Sequence, residues 1–328
     1  MMKRKKTKGG VVVLAYHSIR KSKFNPYGTS VRPEYFQEHM AWLKKNHPVI
    51  SLSDFILKKR EEIIFDSTVV LTFDDGYADH YTKARPVLEK LSLPATFFVI
   101  TGTVMAGESN WWERLESLLP FAEHFPEAWK FEAGEKTHCL RFQSDPKKVR
   151  SVLSSGVFDD FPKNLKKNLI QLSFILRDLE TPERDRTLQE LALMVGGKEV
   201  MSLETNILST SQIKEMAANP LFEIGAHSVS HRTLSKLSIE KQRSEIFDSK
   251  KTLEEITGAA IRHFAYPFGS RSDYDSQTVN LVKEAGFESA CTTELIWGAS
   301  GYFEIPRLII GDESVEEFRH RIEKVINQ

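Results

Sequence analysis

Short apolar runs alternate with segments of helical periodicity along most of the 328-residue chain. Strands that alternate with helices indicate a parallel sheet, and this many units predicts a closed or nearly closed barrel. The expected fold is therefore α/β, a distorted (β/α) barrel of about seven parallel strands. The predicted strands, rich in β-branched and aromatic residues, are 11–16, 49–51, 68–73, 95–101, 222–226, 263–266, 288–292 and 305–310. The predicted helices of the barrel are 33–45, 78–91 (bent or delayed by Pro86), 238–257, 276–285 and 315–326, with a short one starting at Ser53 or Asp54.

One long segment departs from this alternation. Residues 105–205 carry few strand signals, and stretches at 111–119, 164–179 and 187–195 have helical spacing. We therefore expect three parts: residues 1–104 as the first part of the barrel, 105–205 as a mostly helical insertion, and 206–328 as the second part of the barrel. A lid over a substrate groove and an oligomer interface are both open interpretations of the insertion.

Charge and hydropathy exclude several classes of partner. Lysine plus arginine and aspartate plus glutamate both number 45, so no net field recruits nucleic acid or an anionic membrane. The apolar run at 11–16 is shorter than the ~7–15 residues of a signal-peptide core and the ~20 residues of a membrane span. The cysteines, Cys139 and Cys291, form no CxxC pair. We expect a cytoplasmic protein that binds no nucleic acid and has no transmembrane segment, in an undetermined oligomeric state.

Polar residues gather where the predicted strands end. In parallel α/β folds the loops that follow the strands build the active site. A site is therefore expected at this rim of the barrel. The residues that directly follow strands are His17, the pair Asp74 and Asp75, His227 with His231 four residues later, and Pro267-Phe268-Gly269.

The spacing of His227 and His231 suits a shared metal ion. Residues four apart lie on one face of a helical turn, and two imidazoles with one carboxylate leave an open position typical of catalytic zinc. A bound cation would also let the adjacent aspartates both ionise, which their repulsion otherwise opposes. Each element has a structural alternative: a chance HxxxH pair, a helix cap at the aspartates, and a structural role for His17.

Three motifs in order resemble the polysaccharide deacetylases, the NodB-homology enzymes of carbohydrate esterase family 4. They are LTFDDGY (71–77), EIGAHSVSH (223–231) and FAYPFG (264–269). The stretches LAYHSI (14–19) and SVRPEYFQEHMAWLKKN (30–46) resemble the subgroup that includes poly-N-acetylglucosamine deacetylases. The resemblance covers residues 11–310 apart from the insertion.

The resemblance implies a metal-dependent hydrolase of linear amide C–N bonds, which removes acetate from an N-acetylated sugar or glycan. Asp75, His227 and His231 would hold the cation, usually Zn²⁺. Asp74 would be the general base that takes a proton from the attacking water. His17, in the early YH element, would be the general acid that protonates the leaving amine. The backbone N–H of Phe268 would bind the oxyanion.

The chain departs from the family pattern at two places. Ala265 stands where many members carry an arginine that orients the base, and Arg307 or Arg32 could supply that charge from another loop. The late leucine-x-histidine motif of many members is absent, and His320 lies in a predicted surface helix. Two other functions stay open: an inactive carbohydrate-binding descendant, and an amidohydrolase of a non-carbohydrate N-acyl substrate. The sequence does not identify the glycan.

Overall fold

The computed structural model describes residues 10–22, 27–63, 65–142, 144–155, 161–196 and 206–326. The strands are β1 Val11–Tyr16, β2 Val49–Ile50, β3 Thr68–Phe73, β4 Ala95–Val99, β5 Trp129–Ala133, β6 Lys136–Leu140, β7 Phe222–Ala226, β8 His263–Ala265, β9 Ser289–Cys291 and β10 Leu308–Ile309. The α-helices are α1 Pro33–Asn46, α2 Leu52–Arg60, α3 Arg85–Leu91, α4 Thr101–Ala106, α5 Trp111–Phe121, α6 Pro146–Ser155, α7 Lys163–Leu176, α8 Thr181–Met194, α9 Thr210–Ala217, α10 Ile239–Thr257, α11 Ser276–Glu284 and α12 Val315–Ile326.

The described residues form two compact units. The first contains the described parts of Met1–Lys21, Gly28–Ala106 and Asn206–Gln328, and the second contains those of Ser22–Tyr27 and Gly107–Thr205. Across the described residues, no helix combines the length and apolar character needed to cross a membrane.

The first unit is a curled parallel sheet surrounded by helices, in the order β10-β1-β3-β4-β7-β8-β9. The short β2 pairs with the start of β3. Ile305 makes a parallel bridge to Cys291 of β9, at one end of the sheet. A few residues later β10 pairs with β1 at the other end. The segment from Ile305 to Ile309 therefore connects the two ends of the sheet. The prediction of a distorted barrel of about seven parallel strands is confirmed.

Both faces of the sheet are buried, which explains the continuous apolar runs of the strands. Every residue of β3 is buried. Alternate residues such as Leu71 and Phe97 face the helices around the sheet. Their neighbours Val70 and Phe98 face inward, where they pack with Phe55 of α2.

The register of the strands aligns their carboxyl ends. Pairing of β1 with β3 runs from Val11 opposite Thr68 to Tyr16 opposite Phe73. Pairing of β4 with β7 ends with Val99 opposite Ala226. The residues that follow these strands therefore emerge at one edge of the sheet.

Some local predictions differ from the structure by a few residues. The short helix α2 begins at Leu52, because the side chain of Ser51 caps it by accepting from the backbone N–H of Asp54. The segment predicted as one helix over 78–91 is helical but irregular. A π-helical turn, His80–Ala84, precedes α3, which carries Pro86 in its first turn.

The second unit contains helices α5 to α8 and an antiparallel hairpin of β5 and β6 that the sequence analysis did not predict. The sequence contained a signal for β5, because apolar and charged residues alternate along Trp129–Ala133, and the apolar ones are buried. Gly134 and Glu135 both have a left-handed φ, as a two-residue hairpin turn requires. The rings of Trp129 and Phe131 stack with centroids 4.0 Å apart, which stabilises the hairpin.

A buried histidine makes the first unit sensitive to acid. His39 of α1 accepts a hydrogen bond from the Tyr16 hydroxyl through Nδ1 and donates one to the Glu313 carbonyl through Nε2. Its ring stacks on Phe318 with centroids 4.0 Å apart. Burial lowers the pKa of His39 to about 4 from 6.5.

We expect the free energy of unfolding to fall as the pH drops from 6.5 towards 4, because the unfolded chain binds a proton that folded His39 excludes. One such group contributes a slope of up to about 1.4 kcal/mol per pH unit in that window. His39→Gln should reduce the slope in urea denaturation series. Replacing His320, which is exposed on α12, should leave the slope unchanged. An equal slope in His39→Gln and the parent protein would contradict the assignment.

Candidate active site

The structure brings Asp75, His227 and His231 together. The Nε2 atoms of both histidines lie 3.5 Å from Oδ1 of Asp75. One ligand atom from each residue lies within 4.8 Å of the others, and all three residues are buried. The three residues predicted to hold a metal therefore converge, as a shared cation requires.

Unusual backbone conformations produce this convergence. Among the described residues, eight non-glycine residues have a left-handed φ, and four of them are Asp75, Ser228, His231 and Phe268. Such conformations cost about 1–3 kcal/mol each and persist only where the surrounding structure enforces them. Backbone strain is concentrated at this site.

The two histidines do not lie on a helical turn. Residues 227–231 form an irregular loop, in which the Ser228 hydroxyl accepts a hydrogen bond from the backbone N–H of His231. The prediction that the i, i+4 spacing acts through a helix is therefore wrong. The loop bends the chain through left-handed residues at Ser228 and His231, and this bend places both rings beside Asp75.

The hydrogen bonding of His227 suits a metal ligand. Its Nδ1 donates a hydrogen bond to the carbonyl oxygen of Ala265 at 2.7 Å. Burial lowers the pKa of His227, so the ring is neutral near pH 7 and Nε2 carries a lone pair. That lone pair faces the Asp75 carboxylate at 3.5 Å. Two electron-rich atoms this close favour a cation between them, and a nitrogen and oxygen donor set suits Zn²⁺.

Arg307 supplies the positive charge next to Asp74. Its two terminal nitrogens each donate to one Asp74 oxygen at 2.7 Å, and it also donates to the Thr72 hydroxyl and the Thr292 carbonyl. Burial by itself would raise the pKa of Asp74, but Arg307, with smaller contributions from His227 and His17, holds that pKa well below its ordinary range. Arg32 instead pairs with Asp312.

His17 lies near the same Asp74 oxygen that one Arg307 nitrogen contacts. Its Nε2 is 3.9 Å from Oδ2 of Asp74. Burial is the main cause that lowers the pKa of His17 to about 4, so its ring is neutral near pH 7. Before it could act as an acid, it would have to accept a proton. Sequence reasoning missed His80, whose Nε2 donates to the His17 carbonyl at 2.8 Å and fixes that loop.

Phe268 covers the histidine side of the site. Its ring meets the His231 ring edge-on with centroids 4.6 Å apart. Its carbonyl accepts from the Thr293 hydroxyl, and the backbone N–H of Thr293 donates to the Gly269 carbonyl. Gly269 has a left-handed φ, and a Cβ there would lie 2.8 Å from the Thr293 nitrogen. The Phe268 loop is thus fixed against the strand ends, and its part in oxyanion binding stays a prediction.

The comparison with protein families agrees with this fold and site. The sequence profile of the polysaccharide deacetylase family matches residues 65–157 and 189–290. These segments cover more than half of the chain and include the DD and HSVSH motifs. The chain belongs to the polysaccharide deacetylase family.

Individual relatives are more distant. The Bacillus subtilis (strain 168) protein YxkH is 22% identical over 286 residues, which is 86% of this chain and 64% of that protein. A poly-beta-1,6-N-acetyl-D-glucosamine N-deacetylase of Staphylococcus aureus (strain MSSA476) is 31% identical over 121 residues, 33% of this chain and 41% of that protein. The matches thus span less than two thirds of either relative.

Solved structures share the fold. The deacetylase PplD of Streptococcus pyogenes, determined in complex with acetate, superposes with a TM-score of 0.57 at 19% identity, covering 95% of this chain and 97% of that one. IcaB from Ammonifex degensii superposes with a TM-score of 0.55 at 17% identity, covering 96% and 97%. At this identity the likeness concerns the fold.

The buried pair of Asp74 and Arg307 gives a direct test of the site electrostatics. Arg307→Met should lower the free energy of unfolding by about 3–5 kcal/mol, because it leaves a buried carboxylate without its partner. Adding Asp74→Asn should recover part of the loss. Arg32→Met breaks a pair whose side chains are each 34% exposed, and it should cost less than about 1 kcal/mol. Urea denaturation at pH 7 measures all four proteins; equal losses for the two arginine variants would refute the assignment.

Proposed function

We propose that this protein is a metal-dependent de-N-acetylase that hydrolyses the acetamide of an N-acetylated sugar or glycan. The observation that carries the proposal is the convergence of Asp75, His227 and His231 next to the ion pair of Asp74 and Arg307. Membership of the polysaccharide deacetylase family supports it, as does the likeness to a staphylococcal poly-N-acetylglucosamine deacetylase. Zn²⁺ is the proposed cation.

Asp75, His227 and His231 would hold the cation. When bound, a divalent cation lowers the pKa of water from 15.7 to about 7 and polarises the acyl oxygen. The remaining chemistry belongs to the protein. The buried rim restricts solvent around the acetamide, and the Phe268 N–H is the proposed donor to the developing oxyanion, a contribution of roughly 2.7–4 kcal/mol in other enzymes.

Asp74 is the proposed base that receives the proton of the attacking water. Because Arg307 keeps its pKa low, Asp74 binds that proton only briefly. His17 is neutral and its Nε2 lies 3.9 Å from Asp74, beyond direct hydrogen-bond distance. It is proposed to accept the proton through one water and deliver it to the amine nitrogen as the C–N bond breaks. Water and acetamide thus yield acetic acid and a free amine, which ionise in water to acetate and an ammonium ion, with no net proton left on the protein.

The pair of Arg307 and Asp74 favours an active enzyme over an inactive descendant. Ala265 stands where many family members carry an arginine, but here Arg307, just before β10, makes a two-pronged contact with Asp74, the proposed base. Arg307 is therefore proposed to supply the positive charge that orients Asp74.

The first test concerns the cation. Protein stripped with a chelator should bind Zn²⁺ with one-to-one stoichiometry by competition titration. Asp75→Asn and His227→Ala should each weaken binding by at least about 100-fold, since each removes one of three ligands. His124→Ala, at an exposed histidine, should bind like the parent protein. A parent protein that takes up no Zn²⁺ would rule out the metal site.

The second test separates chemistry from metal binding. Asp74→Asn should keep Zn²⁺ affinity and lose at least about 100-fold in acetate release, because the amide cannot accept the proton. His17→Ala should also retain the cation and release acetate more slowly. Acetate is measured on a panel of N-acetylated oligosaccharides and N-acyl amino acids. Near-native turnover of metal-loaded Asp74→Asn, or activity on the amino acids alone, would contradict the proposal.

The substrate within this class and the site of action remain predictions. The expected cytoplasmic step on a nucleotide-linked, lipid-linked or other precursor of a surface glycan stays a prediction. Cell fractionation tests that location.

A further inference from the structure

A carboxylate outside the three motifs holds the loop between the two histidines. Glu245 lies on α10, and its Oε2 accepts the backbone N–H groups of Val229 at 2.9 Å and Ser230 at 2.8 Å. Its Oε1 accepts the Ser230 hydroxyl. All three donors belong to residues between His227 and His231, so one side chain fixes the middle of this loop.

The carbonyl groups of the loop are bonded to the first residues of α4, the helix that follows β4. The backbone N–H of Gly102 donates to the Val229 carbonyl at 2.8 Å, and that of Thr101 donates to the Ser228 carbonyl at 3.2 Å. A Cβ at Gly102 would lie 2.5 Å from the Val229 oxygen, so the approach admits only glycine without movement. The loop is therefore bonded through its amides to Glu245 and through its carbonyls to the start of α4.

The loop needs such support because its conformation is strained. Ser228 and His231 both have a left-handed φ, which a free chain rarely adopts. Their conformations determine where the rings of His227 and His231 point. Relaxation of the loop would move the two Nε2 atoms away from their common distance of 3.5 Å from Asp75.

We propose that Glu245 is a positioning residue for the metal centre, which sets the geometry of His227 and His231 by hydrogen bonding the backbone between them. Outer residues that orient metal ligands commonly contribute about 10–100-fold to metal affinity. Glu245 acts on both imidazoles at once through the loop, with no contact to either ring needed. This inference rests on the proposed metal site.

The test compares Zn²⁺ affinity by competition with a chromophoric chelator, and the visible absorption of the Co²⁺-substituted protein. Glu245→Ala should weaken Zn²⁺ binding by about 10–100-fold and change the Co²⁺ bands, because the ligand geometry loosens. Glu245→Gln keeps an acceptor oxygen for both amides and should recover most of the affinity. Glu255→Ala is the matched control, because Glu255 lies on the same helix, is 68% exposed, and pairs only loosely with Lys251 at 4.0 Å.

The outcomes separate the two proposals. If the parent protein and Glu255→Ala bind no Zn²⁺, the proposed metal site itself fails. If both bind and Glu245→Ala binds within twofold of them with unchanged Co²⁺ bands, Glu245 has only a structural role and the inference is overturned. A Glu245→Gln variant as weak as Glu245→Ala would also overturn it, because charge would then matter more than hydrogen bonding. If Glu245→Ala does not fold, Glu245→Asp, which keeps the charge on a shorter side chain, is judged by the same criteria as Glu245→Ala.

Discussion

The buried ion pair of Asp74 and Arg307 is the interaction on which the rest of the site depends. Asp74 follows β3 and Arg307 immediately precedes β10, so the pair joins segments more than 200 residues apart in the chain. The same guanidinium contacts the Thr72 hydroxyl and the Thr292 carbonyl. A buried carboxylate is unfavourable without a partner. The pair therefore links the ionisation of Asp74 to the region where the two ends of the sheet meet.

The neighbouring carboxylate has a different environment. Asp75 faces two imidazole nitrogens, whereas Asp74 faces a guanidinium. Adjacent aspartates that would otherwise repel are therefore assigned to different partners. This division explains how the chain tolerates the pair: Arg307 pairs with Asp74, and Asp75, which has a left-handed φ, lies 3.5 Å from both histidine Nε2 atoms.

Much of the site could be predicted because strand ends are visible in the sequence. Apolar runs define β1, β3 and β7, and the residues after them are His17, Asp74, Asp75 and His227. Parallel pairing then brings these residues to one edge. The loop after β7 was harder, because i, i+4 spacing suggests a helical turn and only the backbone reveals left-handed residues. The hairpin of β5 and β6 was missed since a single short alternation is a weak signal beside long helical segments.

The sequence by itself determined the class of fold and the types of side chain at the rim, because hydrophobic periodicity and residue order are local properties. Only the tertiary structure decided between Arg307 and Arg32 as the partner of Asp74, and only it revealed Glu245 behind the histidine loop. The Glu245 contact depends on how α10 packs against a loop 15 to 16 residues earlier in the chain. The Arg307 contact joins segments 233 residues apart. Whether a charge meets its partner there is decided by strand register and barrel closure, which no local pattern encodes.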